Sequence, residues 1–176
     1  NGSFVGQGPA PSFVQQQNYN VIDLTPYLVA GRNVIAVHTL YQGLINRVWQ
    51  SGDQRHGLLC EIEADGCCVV CSGEDFLVST HTGYTESGIC GYQTQFLETY
   101  DCRAPEVGFE LPDYDDSGWE NASLCRYDDH RLREQSTSML VFEHIAPVQT
   151  TVSGNRVILD FGSNYVGYLD AVALGN

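Results

Sequence analysis

The stretch LLCEIEADGCCVVC, residues 58–71, decides the fold class of this chain. Leu58, Cys60 and Ile62 are expected on one face, and the other face carries Leu59, Glu61 and Glu63, which is the period of two of a half-buried β-strand. Asp65-Gly66 is then a two-residue turn signal suited to a type I′ hairpin, and residues 67–71 form the returning strand. The sequence therefore predicts an antiparallel β-hairpin.

Short apolar runs continue this pattern along the chain. They predict further strands at residues 34–37, 76–78, 139–142, 150–152 and 157–161. Thr25 as a cap, Pro26 at the first helical position and Gly31 as a stop signal predict one helical turn, and residues 130–136 a second. Many short strands between turn residues predict an all-β sandwich or jelly roll.

Two stretches suggest how the chain is divided. Residues 105–119 are rich in turn signals, and a module boundary is predicted near Thr137, before the strand that leads to Pro147. We therefore predict one β-sandwich over residues 1–136. Residues 137–176 would be the start of a following β-sandwich or the last strands of the same one.

The chain is acidic, with 8 Lys and Arg against 22 Asp and Glu and a net charge of -14. Such a surface repels nucleic-acid phosphates and anionic lipids, so neither is an expected partner. No apolar run reaches the roughly 18 residues of a membrane span, and no secretory signal is visible. We expect a cytoplasmic location, and we interpret the start at Asn1 without Met as that of an excised fragment or a mature protein.

The 7 cysteines are an odd number, whereas a disulfide framework usually has an even count in a shorter chain. We interpret them as mostly reduced, buried, small apolar residues. Cys68 and Cys71 form a single C-x-x-C, and a structural zinc site takes four ligands. A core strand is therefore favoured there, with a thiol or metal protein built on Cys67, Cys68 and Cys71 as a minor hypothesis.

The N-terminal region resembles a pattern of glycosidase β-sandwiches. Asn1-Gly2 and Val5-Gly6 resemble the end of an LNG…VG strand pair. Residues 19–37, YNVIDLTPYLVAGRNVIAV, are similar to YxVxDLTxxLxxGxNxIxV. This pattern recurs in galactose-binding-like β-sandwiches of many glycosidases, so the resemblance implies that fold.

Later segments resemble one family, the bacterial α-L-rhamnosidases. ETYDCR, residues 98–103, resembles their GExYDAR, and PDYDDSGW, residues 112–119, resembles their PxFDDSxW. IAPV, residues 145–148, and DFGSNYVGY, residues 160–168, resemble the segment that ends in DFGQNxxGW. The chain departs from the family at four positions, Leu97, Cys102, Ser163 and Tyr168, which stand for Gly, a small residue, Gln and Trp.

The resemblance implies a non-catalytic accessory β-sandwich from the N-terminal half of such a glycoside hydrolase, acting on rhamnose-containing glycans or glycosides. In this family a large α/α barrel carries the acid and base carboxylates, and 176 residues are too few to hold it. We therefore expect no hydrolysis by this chain alone, with that barrel as its partner. The alternative is an autonomous, lectin-like carbohydrate-binding module. Unpaired sheet edges at the chain ends also predict a homodimer.

The resemblance also implies site residues. Some sandwich modules of rhamnosidases bind L-rhamnose through calcium, using an Asp, a following Asn and a downstream Pro carbonyl. The matching positions are Asp101, Cys102 and Pro147, and a thiol is a poor calcium ligand. Asp101 and Pro147 are thus candidate calcium ligands, and Asp101 and Arg103 are candidate carbohydrate-binding residues. The structural alternative is an Asp101–Arg103 or Asp101–backbone network that fixes the segment.

Both tryptophans are candidates for stacking against a sugar ring. Trp119 follows a turn, where a lone Trp more often anchors a core, and Trp49 lies in the loop-like region 42–57. Residues 113–118 resemble the start of a calcium loop, but Leu124 stands where a bidentate Glu is required. We therefore interpret this segment as a turn in which Asp115 and Ser117 bond local N–H groups and Gly118 supplies an unusual dihedral angle.

Overall fold

The computed structural model describes residues 1–13, 15–41, 55–91, 95–125 and 130–169. The chain divides into two compact units, Asn1–Leu140 and Val141–Asn176. The sequence-predicted boundary at Thr137 lies near this division, and the assignment of domains to the two parts stays a prediction.

Strands dominate the regular structure of the described residues. The first unit contains β1 (Gln16–Tyr19), β2 (Glu61–Ala64), β3 (Cys67–Cys71), β4 (Leu77–Val78), β5 (Tyr84–Cys90), β6 (Gln95–Tyr100), β7 (Glu120–Asn121) and β8 (Arg131–Glu134). The second unit contains β9 (Gln149–Ser153) and β10 (Arg156–Asp160). One 3-10 turn spans Thr25–Tyr27. Within the described ranges, no helix has the length and apolar character needed to cross a membrane.

The strands associate in pairs. Strand β1 pairs in parallel with β8, whereas β2–β3, β4–β7, β5–β6 and β9–β10 are antiparallel. Each pair is a separate two-stranded sheet in the part of the chain that the structure describes. The all-β class is thereby confirmed, and the pairs are consistent with a β-sandwich. The jelly-roll topology stays a prediction.

The hairpin predicted over residues 58–71 is confirmed as β2–β3. Asp65 has φ 52° and Gly66 has φ 75°, the positive values that a type I′ turn requires at both central positions. Asp tolerates this backbone region better than most residues, and Gly adopts it without steric cost. The register of the pair shifts between Ile62 and Glu63, which marks a β-bulge.

The predicted strands at 150–152 and 157–161 are confirmed as β9 and β10. Ser153 pairs with Arg156, so Gly154 and Asn155 form the two-residue loop. Gly154 has φ 59°, which places a residue without a Cβ where a side chain would be strained. In both hairpins the turn residues therefore fix the pairing locally.

Two other predicted strands are wrong. Residues 34–37 and 139–142 belong to no strand. The Val34 N–H donates to the side-chain Oδ1 of Asn1 at 3.0 Å, so its partner is a side chain and not a neighbouring strand. Ile35 and Val37 are 49% and 47% exposed, which contradicts the prediction that this run is covered on both faces.

The helical turn predicted at residues 130–136 is also wrong, because this segment is strand β8. The Arg131 N–H donates to the Gln15 carbonyl, and the Gln135 N–H donates to the Tyr19 carbonyl, both at 2.9 Å. A partner more than 100 residues away in the sequence, strand β1, thus sets the local conformation. Pairing overrides the weak helical preference of the segment.

The helical turn near Pro26 is confirmed, although its first residue differs. Leu24 is the N-cap and makes no side-chain capping bond, so the prediction of Thr25 as the cap is wrong. The Asp23 carboxylate accepts the Thr25 N–H at 2.9 Å and takes over that role. The turn ends at Tyr27 with Leu28 as its C-cap, so the prediction that Gly31 stops it is wrong, although Gly31 has a positive φ of 96°.

Burial is concentrated around two residues, Gly83 and Glu106, the only buried positions among those described. No hydrophobic side chain in these ranges is buried. The 7 cysteines are free, with Cys60 and Cys90 half-buried and the others exposed. The prediction that they are buried is wrong, because two-stranded sheets leave strand faces such as that of β3 uncovered.

Candidate functional site

Asp101 follows β6 directly, and its carboxylate is held by Arg103. Arg103 Nε donates to Oδ1 at 2.9 Å, and Nη2 donates to Oδ2 at 2.8 Å. The Arg103 backbone N–H also donates to Oδ1 at 3.0 Å. A guanidinium fork matches both carboxylate oxygens in this way. This is the Asp101–Arg103 network that we predicted from the sequence as the structural alternative to a calcium or sugar site.

These hydrogen bonds also fix the charge of the pair. The Arg103 hydrogen bonds lower the pKa of Asp101 to about 2, and the carboxylate raises the pKa of Arg103. The two side chains are exposed, 50% for Asp101 and 87% for Arg103. A calcium ion or a sugar hydroxyl at this carboxylate would either share it with the guanidinium or displace it.

The main chain of Asp101 connects two segments. Its N–H donates to the Gly83 carbonyl at 2.8 Å, and its carbonyl accepts the Ala104 N–H at 3.2 Å. The end of β6 is thereby joined to the residue that precedes β5. Asp101 thus occupies a structural junction as well as an exposed position.

The remaining candidate residues are Trp119, Trp49 and Pro147. Trp119 is half-buried, with its ring centroid 6.2 Å from that of Phe109 and 5.8 Å from that of Tyr114. Trp49 lies outside the described residues. Pro147 belongs to the second unit. The sugar-stacking roles of the tryptophans and the pairing of Asp101 with Pro147 stay predictions.

An aromatic and histidine cluster surrounds His81, and sequence reasoning did not single it out. The centroid of the His81 ring lies 5.5 Å from that of His38, 5.0 Å from Tyr84, 5.6 Å from Tyr100 and 6.2 Å from Phe109. We call these five residues the His81 cluster. Tyr84 and Tyr100 are register partners in β5–β6, with ring centroids 4.6 Å apart. The hairpin therefore provides one wall of the cluster.

The His81 cluster favours the neutral form of the His38 imidazole. Desolvation first and the neighbouring His81 second lower the pKa of His38, and Glu98 opposes this shift. The Gly83 N–H donates to His81 Nδ1 at 3.2 Å, so this nitrogen acts as an acceptor. It lies 3.8 Å from Glu106 Oε2, a contact that becomes an ion pair only when the imidazole is protonated.

Glu106 is 8% exposed and is held by one residue. Its Oε2 accepts the Thr82 N–H at 3.1 Å and the Thr82 hydroxyl at 2.8 Å. These bonds lower the pKa of Glu106, so its carboxylate is ionised at neutral pH. A buried carboxylate that accepts two hydrogen bonds is stabilised in its charged form.

A groove of about 360 Å³ borders the His81 cluster. Its lining combines two tyrosines, two leucines, a threonine and two glutamates: Leu40, Tyr41, Tyr84, Thr85, Glu86, Leu97 and Glu98. Glu86 and Glu98 are register partners across β5–β6, and like charges directly opposite one another are destabilising. The groove thus presents aromatic faces beside hydrogen-bond acceptors.

Sequence reasoning missed the cluster and the groove because β5 and β6 carry weak local signals. Tyr84 and Tyr100 are 16 residues apart, and the register that pairs them cannot be read from either strand alone. Strand β5 also contains Gly88, with φ 99°, close to an irregularity in the pairing. Tyr84 begins β5 and Tyr100 ends β6, and these terminal tyrosines were the sequence signal that could have indicated the cluster.

Local hydrogen bonds lower the pKa of several carboxyl groups. Asp23 bonds Thr25, Asp101 bonds Arg103, Glu106 bonds Thr82, and Asp115 bonds Ser117. The predicted Asp115–Ser117 turn is confirmed by an N–H to Oδ1 distance of 3.1 Å. The unusual dihedral predicted for Gly118 is wrong, since Gly118 has no positive φ. A general acid for glycoside hydrolysis needs the opposite shift, a raised pKa.

The side chains of the described ranges contain no group of three or more His, Cys, Asp or Glu placed to hold a metal ion. Calcium coordination at Asp101 would therefore depend on backbone carbonyls and water in addition to this carboxylate.

These features are those of an all-β module whose acidic side chains fix turns. The chain belongs to the Alpha-L-rhamnosidase N-terminal domain family, whose sequence profile matches residues 8–141. No curated protein and no solved structure matches the chain. The family that the sequence resembles is thereby confirmed, and the chain is associated with α-L-rhamnosidase-like proteins.

Proposed function

We propose that this chain is a non-catalytic accessory β-sandwich of an α-L-rhamnosidase-like glycoside hydrolase. The observation that carries the proposal is the match of residues 8–141 to the N-terminal domain of that family. Among the described residues, four carboxyl groups have a perturbed pKa, and hydrogen bonds shift all four downward, which supports the non-catalytic role. Glycoside hydrolysis needs two carboxyl groups, one of which stays protonated to act as the acid.

The activity of the purified chain tests this proposal. An aryl α-L-rhamnoside serves as the substrate, and release of the aryl alcohol is measured with high enzyme concentration and long incubation. We expect no release above the rate with buffer alone. Turnover that is lost in Glu106→Gln, with the folded state retained, would overturn the non-catalytic assignment.

Carbohydrate binding is the second candidate function, and the groove beside the His81 cluster favours it. Aromatic faces such as that of Tyr84 suit the apolar C–H faces of a pyranose, and carboxylates such as Glu86 and Glu98 accept hydrogen bonds from its hydroxyl groups. Ligand pockets combine these two features, an apolar wall and a few polar groups that set orientation. Under this second proposal the sugar binds in the groove and not at Asp101.

Titration calorimetry with L-rhamnose, first with calcium and then with a chelator, separates the two possible sugar sites. Calcium-dependent heat that disappears in Asp101→Ala places the sugar at Asp101. Calcium-independent heat that disappears in Glu98→Gln places it at the groove. Asp115→Ala is the matched control, because Asp115 is also an exposed Asp that bonds the N–H two residues later. Absence of heat under all conditions contradicts the carbohydrate-binding function and leaves the accessory role.

A further inference from the structure

Strand β3 (Cys67–Cys71) carries three thiols in five residues. Cys67, Cys68 and Cys71 are free and exposed. In a regular strand successive side chains point to opposite faces, so residues three apart, such as Cys68 and Cys71, would lie on opposite faces. The β-bulge in this hairpin changes that relation.

The register shows which residues share a face. Cys71 pairs with Glu61, and Cys68 pairs with Glu63. Glu61 and Glu63 are two residues apart on a strand, so their side chains point to the same face. Cys68 and Cys71, as their partners, lie on that face too. The extra residue of the bulge in β3 is Val69, since Ile62 pairs with Val70.

The bulge also shortens the distance that separates the two cysteines along the ladder. Their partners are two residues apart, which corresponds to about 6.7 Å along a strand. Disulfide-bonded cysteines have Cα separations of about 4.4–6.8 Å. The pair thus lies at the upper end of the range in which a disulfide closes with little backbone movement.

The surroundings of Cys68 agree with this geometry. Its Sγ lies 3.5 Å from the Val70 carbonyl oxygen, to which the thiol donates. Desolvation first, and then interactions with Glu61 and with the Cys71 thiol, raise the pKa of Cys68. The Cys68 thiol is therefore directed along β3 toward Cys71, with a carboxylate beside it.

We propose that Cys68 and Cys71 form a redox-sensitive dithiol that closes to an intrastrand disulfide with a low-molecular-weight disulfide as the oxidant. The thiolate of one cysteine attacks the oxidant, forms a mixed disulfide and releases one small thiol. The second cysteine then attacks the mixed disulfide, closes the Cys68–Cys71 bond and releases the second small thiol. Two S–H bonds and one S–S bond are exchanged for one S–S bond and two S–H bonds. The site is independent of the proposed accessory function.

Glu61 sets the expected rate of this exchange. A carboxylate beside the thiols disfavours the thiolate, which is the attacking species. The Glu61→Gln variant should therefore react several-fold faster than the wild type at neutral pH, and its rate profile should shift toward lower pH. Glu74→Gln, which replaces an acid outside β2 and β3, is the matched control and should leave the rate unchanged.

The test uses the reduced chain and oxidised glutathione as the probe, with thiol titration and mass spectrometry as the readouts. We expect the wild type to lose the thiols of Cys68 and Cys71 and to retain no glutathione at either position, with the new disulfide in the peptide that contains β3. Cys68→Ser and Cys71→Ser should each instead keep a stable glutathione adduct on the remaining cysteine. Cys67→Ser should behave like the wild type, because Cys67 lies on the opposite face of the bulged strand.

Two results would overturn the proposal. One is a glutathione adduct on the wild type that persists at both positions without closing. The other is a disulfide that forms equally well in Cys71→Ser but is lost in Cys67→Ser. That result would make Cys67, and not Cys71, the partner of Cys68. All variants replace exposed residues, and circular dichroism verifies that each keeps its strand content.

Discussion

The substitution Gly83→Ala tests whether the junction around Gly83 and Asp101 is a packed part of the molecule. An added Cβ would lie 2.9 Å from the Asp101 carbonyl oxygen, 3.0 Å from the Ala104 Cβ and 3.0 Å from His81 Cε1. Ordinary contacts between such atoms are about 3.5–4.0 Å. The Asp101 main chain resists displacement, because its N–H donates to the Gly83 carbonyl at 2.8 Å.

The magnitude follows from two opposing effects. Forcing an extra methyl group into a packed position costs about 1–3 kcal/mol. Gly83 has no positive φ, so Ala restricts the unfolded chain and offsets about 0.4–1 kcal/mol of that cost. We expect a net loss of about 1–2 kcal/mol in the free energy of unfolding. For a chain of this size, that loss lowers the melting temperature by about 2–8 °C.

Thermal and urea unfolding, followed by circular dichroism, measure this loss. Gly118→Ala is the matched control, since an added Cβ there meets nothing within 4 Å and Gly118 has no positive φ. The control should keep or slightly raise the melting temperature. If Gly83→Ala and Gly118→Ala unfold at the same temperature, the junction is not packed as described and the reasoning fails.

Two further substitutions test hydrogen bonds that the structure assigns. Arg103→Ala should raise the pKa of Asp101 from about 2 toward its ordinary value, as NMR titration of the carboxyl carbon would show. Because the folded pKa is lowered, the pair stabilises the fold above about pH 4 and loses this contribution as pH falls toward 2. An unchanged pKa would exclude the ion pair. Asn33→Ala should lower the free energy of unfolding by about 1 kcal/mol, as measured with urea. The reason is that the Asn33 side chain bonds the Val29 N–H and the Val29 and Gly31 carbonyls. A loss no larger than that of Gly118→Ala would count against this role.

The parts of the fold that were predictable from the sequence are those set by neighbouring residues. Asp65-Gly66 determines the β2–β3 turn, and Gly154 determines the β9–β10 turn, so both hairpins follow from local chemistry. The parallel pairing of β1 with β8 joins segments that are distant in sequence, and neither strand has a strong apolar pattern. No local signal distinguishes such a strand from a helical turn.

In the candidate site, too, the features set by neighbouring residues were predictable and those set by tertiary pairing were not. The Asp101–Arg103 pair spans two residues and was among the alternatives that the sequence offered. The His81 cluster depends on the cross-strand register of Tyr84 and Tyr100, which is a tertiary property. The common face of Cys68 and Cys71 depends on a bulge that the alternation of side chains does not reveal. Regular alternation would place them on opposite faces.

Four aspartates of the resemblance segments make the same kind of hydrogen bond. In each case the carboxylate accepts the backbone N–H of the residue two positions later, the geometry of an Asx turn. The four pairs are Asp23–Thr25, Asp101–Arg103, Asp115–Ser117 and Asp160–Gly162, with distances of 2.9, 3.0, 3.1 and 2.8 Å. In these four segments the aspartate therefore has a structural role in a turn.

A pair of substitutions separates the turn function from a charge function. Asn also accepts an N–H two residues later, whereas Ala cannot. At Asp115 and Asp160 we therefore expect Asn to preserve the protection of the Ser117 and Gly162 amides in hydrogen exchange, and Ala to lose it. If the carboxylate charge is what matters, Asn and Ala will lose protection equally. That outcome would contradict the turn interpretation and return these aspartates to the candidates for ligand binding.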